Sequence, residues 1–143
     1  EEEIVALRHA NIKYEIIPGV PSAMAAAAAI GIPLTRRLNA RRIQFITGHD
    51  IDGKLPEDLN IAALVDPNAI TAIFMGKKTF PKLAKILCDN GMPKNTPALL
   101  AENVSRQNEK LTYSNLGLMP KLIETNAGNG PALIILGPLV DQT

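Results

Sequence analysis

"AITAIFMGKKTFPKLAKILCDNG" runs from Ala69 to Gly91, and its reading decides the fold. The first part, "AITAIFMG" (Ala69 to Gly76), is a near-continuous apolar run, the mark of a strand buried on both faces. Thr79 then stands at a helix start. Phe80, Leu83, Ala84, Ile86 and Leu87 recur at helical spacing on one side, and Gly91 ends the helix. A strand covered above and below, leading directly into an amphipathic helix, is the repeating unit of an α/β layered architecture.

The same alternation extends in both directions. Upstream, "RIQFITG" (Arg42 to Gly48) is β-branched and alternating, so it predicts a strand ending in a Gly-His-Asp turn. "DGKLPEDLNIAALVDPN" predicts a loop and a short helix closed by Asp66-Pro67. Downstream, "TPALLAEN" (Thr96 to Asn103) is a second buried strand and "KLTYSN" a strand or hairpin arm. "LGLMPKLIETNAGNG" carries a helix through roughly Ile123, and "PALIILGPLV" (Pro131 to Val140) is a final strand. Near the start, "YEIIPG" reads as one more short strand. The expectation is one α/β domain over residues 1–143: a mixed β-sheet of about five to six strands flanked by helices. The last strands should be partly antiparallel, because their links are short.

One helix is unusual. In "EIIPGVPSAMAAAAAIGIPLTRR" (residues 15–37), Ala23 and Ala25 to Ala29 leave almost no side chains on it. Pro21 suits a first helical position, Gly31 suits the residue after the C-cap, and Pro33 blocks continuation. Such a helix is either packed so tightly that nothing larger fits, or its first turn must bring backbone close to a ligand.

Composition narrows the function. The chain of 143 residues is 46% hydrophobic and 20% charged, with a net charge of +1, a globular balance. Aromatic residues make up 3%, with no Trp, so base-stacking recognition of nucleic acid has little to work with. Arg36, Arg37, Arg41 and Arg42 form a local basic cluster, either a solvated loop or an anion-facing patch. Cys88 is the only cysteine and reads as a buried structural thiol on the apolar side of its helix, which suits a reducing compartment. No apolar run approaches the ~20 residues of a membrane span. No membrane association and a cytoplasmic location are the default expectation. "EEEIVALRHANIKYE" begins in mid-helix without an N-cap residue, so a fragment of a longer polypeptide is expected.

Catalytic side chains are few. His9 reads as an exposed helix residue, and His49, in "TGHD", as a loop histidine with a structural hydrogen bond. One Cys and two separated His make no tetrahedral metal site, so no metal is expected. Ser22 lacks a G-x-S-x-G elbow, and neither dinucleotide nor P-loop glycine motifs occur. What remains is a set of small-residue loops at strand ends: "PGVPSA", "TGHD", "FMGKK", "AENVS" and "GNGPA". Such loops hold a ligand through main-chain groups, with an apolar side chain such as Met75 as a lid.

The order of these motifs resembles the C-terminal half of the tetrapyrrole (corrin/porphyrin) methylases, with the uroporphyrinogen-III C-methyltransferase branch as the best match. The small-residue helix with "GIPLTRR", then "TGH", the strand ending in "MG", "GMPKNTPALLAEN" and the closing "GPALIILG" carry the resemblance over essentially the whole chain. It implies a two-domain α/β fold of which this chain is similar to the second domain. The first would hold the glycine-proline motif, the cofactor loop and the proton-transfer Asp. It further implies S-adenosyl-L-methionine as methyl donor, S-adenosyl-L-homocysteine as by-product, and C-methylation of uroporphyrinogen III to precorrin-2. A cytoplasmic homodimer at full length is implied as well. The family's cofactor contacts fall on Pro21, Ser22, Met75, Val104, Pro131 and Ala132, and its substrate contacts on Glu2 and Arg37. Val104 stands where the family has Gly, and Pro21 where it has Thr. A backbone contact would tolerate Val104, whereas a requirement for φ > 0 would not. The alternative implied by these departures is a non-catalytic ligand- or partner-binding module of the same fold.

Overall fold

The computed structural model describes residues 1–126, 128–138 and 140. In chain order the elements are α1 (Glu2–His9), α2 (Ser22–Ala29), β1 (Arg42–Thr47), α3 (Ile61–Leu64), β2 (Ala69–Phe74), α4 (Phe80–Asp89), β3 (Pro97–Glu102), β4 (Lys110–Asn115), α5 (Met119–Asn126) and β5 (Ala132–Leu136). The strands form one mixed sheet in the order β1-β2-β5-β3-β4. β1 and β2 are parallel, joined by a crossover that contains α3. β5 runs antiparallel to both of its neighbours, so β2 and β3 share a direction with β5 inserted between them. β3 and β4 make an antiparallel hairpin.

Burial follows from the apolar runs. Alternate residues of the inner strands point into two cores. Ile73, Leu100 and Ile134 meet Phe80, Leu83 and Leu87 of α4 and Met119 of α5 on one face. Ile70, Leu99, Leu133 and Ile135 meet Ala23 and Ala26 of α2 on the other. A strand with a core on each side has no polar face, which is why β2, β3 and β5 read as unbroken hydrophobic runs.

Helix ends also follow the sequence. In α2, Gly31 takes φ 69; its N–H donates to Ala28 O (3.1 Å) and that of Ile32 to Ala27 O (3.1 Å), a complete Schellman closure. Gly91 (φ 95) closes α4 in the same way through Cys88 O and Leu87 O.

Several expectations are corrected. Residues 14–19 form no strand, and Ile17 is 81% exposed. A short apolar stretch makes a strand only where a neighbour pairs with it, and no described strand lies beside this segment. Pro21 is the N-cap of α2, with ψ 153, and not its first helical residue. Thr79 stands at the N-cap of α4 without capping it. Cys88 is half-buried against the core. The final strand stops at Leu136, before Gly137 turns away with φ 138; Leu139, within the expected strand, and Ala127 lie outside the described residues.

Candidate functional site

The strand-end loops are shaped by two glycines. Gly48, after β1, and Gly76, after β2, lie against each other; a Cβ on Gly48 would collide with the Gly76 backbone. The Gly48 N–H donates to Phe74 O (2.6 Å). The Thr79 hydroxyl, free of capping duty, reaches the Gly48 carbonyl and the Gly76 carbonyl (3.1 Å). Glycine in "TGH" and "MG" is therefore required by a close approach of two strand ends. Met75, directly before Gly76, adopts φ 53 and is 54% exposed. A left-handed Met is a strained residue of the kind that gathers at ligand sites.

The β3–β4 turn uses the same conformation twice. Asn103 (φ 53) and Ser105 (φ 64) are left-handed, while Val104 between them is not among the positive-φ residues. The turn is tied down by the Ser105 N–H donating to Glu109 Oε2 (2.7 Å) and the Asn103 N–H donating to Pro131 O (3.0 Å). Asn tolerates this geometry because its short amide can bond locally. The φ > 0 requirement thus falls on its neighbours, and Val104 keeps ordinary backbone geometry.

Two adjoining clefts open at this end of the sheet. One, of about 240 Å³, is lined by Ser22, Asn103, Val104, Arg106, Pro131 and Ala132. The other, of about 500 Å³, is lined by His49, Met75, Lys77, Lys78, Pro131 and Ala132 among others. Pro131 and Ala132 form the wall common to both. Ser22, Val104, Pro131 and Ala132 are therefore brought together, with Met75 next door and Pro21 adjoining Ser22 as its N-cap.

Glu2 and Arg37 are exposed and line neither cleft. The backbone N–H of Glu2, followed by the amino group of Glu1, holds the Glu2 carboxyl below its ordinary value. Within the basic cluster, Arg42 pairs with Asp66, and Arg41 Nε donates to the Arg37 carbonyl (3.0 Å). His9 is exposed on α1. His49 Nδ1 donates to Asp50 O (2.9 Å), which fixes the ring at the mouth of the larger cleft.

Asn103, Arg106, Lys77 and Lys78 line the clefts without having been singled out from the sequence. Asn directly after a strand was the available signal for Asn103. Lys77 had no local one, since its partners lie 25 to 53 positions away. Among the described residues no three His, Cys, Asp or Glu side chains cluster as metal ligands, and no helix is long and apolar enough to cross a membrane. The clefts combine small residues with a few polar side chains, so they can hold and align a ligand.

Known proteins share the sequence pattern and the fold. The sequence model of the Tetrapyrrole (Corrin/Porphyrin) Methylases matches residues 1–119. The siroheme synthase of Chromobacterium violaceum is 37% identical over 140 residues, which are 98% of this chain and 29% of that protein. The chloroplastic S-adenosyl-L-methionine-dependent uroporphyrinogen III methyltransferase of Arabidopsis thaliana is 33% identical over 98% of this chain and 38% of its own length. The chain thus spans well under half the length of these relatives. A cobalt precorrin-4 methyltransferase of cobalamin biosynthesis superposes with a TM-score of 0.85 at 25% identity, over 99% of this chain and 59% of the other. The uroporphyrin-III C-methyl transferase of Thermus thermophilus in complex with S-adenosyl homocysteine gives a TM-score of 0.77 at 27% identity, over 97% and 59%. Two cores around one mixed sheet are accordingly those of a known fold, and the chain belongs to the tetrapyrrole (corrin/porphyrin) methylases.

Proposed function

We propose that residues 1–143 supply the methyl-donor pocket and one side of the acceptor site of a uroporphyrinogen-III C-methyltransferase, which forms precorrin-2 and S-adenosyl-L-homocysteine. One observation carries this reading: four segments distant in sequence, at Ser22, Met75, Asn103–Val104 and Pro131–Ala132, meet around two joined clefts. The donor fits the residues present. Gly130 leaves no room for a Cβ against the Asn103 side chain, and the exposed Met75 stands beside the wall that Pro131 and Ala132 give to both clefts.

S-Adenosyl-L-methionine bound here would supply an already activated methyl group. The protein's part is alignment. Ser22, Val104, Pro131 and Ala132 bound the donor, and Met75 lies over it as an apolar lid. Arg37 offers a planar fork for a carboxylate of the acidic acceptor, with Glu2 on the same acceptor side. Proton transfer is assigned to a residue upstream of this chain, in a first α/β domain, and the residues 1–143 are inactive alone. At full length the reading is a homodimer in the cytoplasm, needing no metal.

Calorimetric titration of S-adenosyl-L-homocysteine into the full-length gene product, with residues 1–143 run beside it, is the test. Micromolar binding by the full-length protein supports the reading. No binding by either sinks it and promotes the non-catalytic module, with Val104 and Pro21 as the lost contacts.

A further inference from the structure

Glu102 closes β3 with its side chain only 2% exposed, and Lys77, just beyond β2, has 22% exposure. The two strands are not neighbours; β5 lies between them and enters the sheet at Ala132, the register partner of Glu102. Lys77 Nζ and Glu102 Oε1 meet at 3.4 Å across that entry. The segment leading into β5 is threaded beneath them. Gly128 N–H donates to Glu102 Oε1 (2.8 Å), and Lys77 Nζ donates to the carbonyls of Gly128 and Gly130 (3.2 Å for the latter). Glu102 Oε2 is buried without a hydrogen-bond partner among the described residues, so the Lys77 charge is what compensates the carboxylate there.

We infer that Lys77 and Glu102 form a charged clasp that positions the Gly128–Ala132 segment, and so sets the wall common to the two clefts. The inference rests on the donor-pocket reading above. Both residues are positioning residues, since they act through Pro131 and Ala132. Flanking strands from either side of β5 contribute one charge each, and each charge also holds backbone of the entering segment. The clasp therefore extends the hold on this segment beyond the Glu102–Ala132 register pair and the Asn103 N–H to Pro131 O bond, and with them fixes the height at which Pro131 and Ala132 face the ligand.

The test separates positioning from stability. Removing one partner strands a buried charge, whereas replacing both with apolar residues is often neutral for folding. The double variant Lys77→Met/Glu102→Leu in the full-length gene product is expected to keep its melting temperature. It should bind S-adenosyl-L-homocysteine about tenfold more weakly than wild type, because three charge-assisted anchors of the segment are gone. Hydrogen exchange at the Gly128 amide, which loses its Glu102 acceptor, should accelerate. Glu102→Gln, which retains an acceptor for Gly128 but leaves the Lys77 charge unpaired, should fall between wild type and the double variant in affinity. A folded double variant with unchanged affinity and exchange overturns the clasp and leaves the donor pocket standing. A wild type that binds no S-adenosyl-L-homocysteine overturns the donor pocket, and the clasp's ligand role with it.

Discussion

Met75 holds φ 53, a conformation that costs a non-glycine residue about 1–2 kcal/mol, while more than half of its side chain stays in solvent. Packing therefore does not account for this conformation, and the proposed donor contact at Met75 is open to direct test. Met75→Gly is expected to leave stability unchanged or raise it by up to about 1 kcal/mol, since glycine adopts this φ freely. The same substitution should weaken S-adenosyl-L-homocysteine binding. Chemical denaturation and calorimetry on one protein sample check both, and equal affinity removes Met75 from the site. Asn103 and Ser105 carry the strain on the other side of the clefts and spare Val104 from it. A valine where the family has glycine is thus compatible with a main-chain contact at this position.

Helix α2 answers the question raised by its alanines. Ala23, Ala26 and Ala27 are buried against the sheet, whereas Ala28 and Ala29 face solvent. Tight helix–sheet packing accounts for the buried positions, and Ser22 at the first turn lines a cleft. Packing accounts for the buried alanines, and the first turn opens on the proposed donor pocket. Ala26→Leu should destabilise the protein by about 1–3 kcal/mol through overpacking. Ala28→Leu should stay within about 0.5 kcal/mol. Paired urea melts decide the matter, and equal effects would deny that packing dictates the alanines. The ends of α1, α2 and α4 are closed alike, with Asn11, Gly31 and Gly91 in the left-handed conformation.

At the scale of the molecule, the sheet brings its cleft-forming loops to one end because β1, β2 and β3 share a direction. β5 enters from that same end, carrying Pro131 and Ala132 between them. Glu2 and Arg37 stand outside both clefts, so contact with a large acceptor would have to be made over the rim. Arg37→Ala in the full-length protein is expected to raise KM for the tetrapyrrole about tenfold, with kcat less affected, if it holds a carboxylate bidentately. Steady-state kinetics with the polycarboxylate acceptor measure this, and an unchanged KM removes Arg37 from the acceptor site.

The sequence by itself determined the α/β class, the strands from Arg42 to Asn115, the glycine helix stops and the family. Each of these is written in local periodicity, in turn chemistry or in motif order. The same local signal misled at Tyr14–Gly19, where a short apolar stretch finds no strand to pair with. Tertiary structure alone decided the insertion of β5 between β2 and β3, the redirected hydroxyl of Thr79 and the meeting of Lys77 with Glu102. Those depend on which backbone groups and charges are left unsatisfied once the layers pack, and contacts between residues so far apart in the chain leave no periodic trace in it.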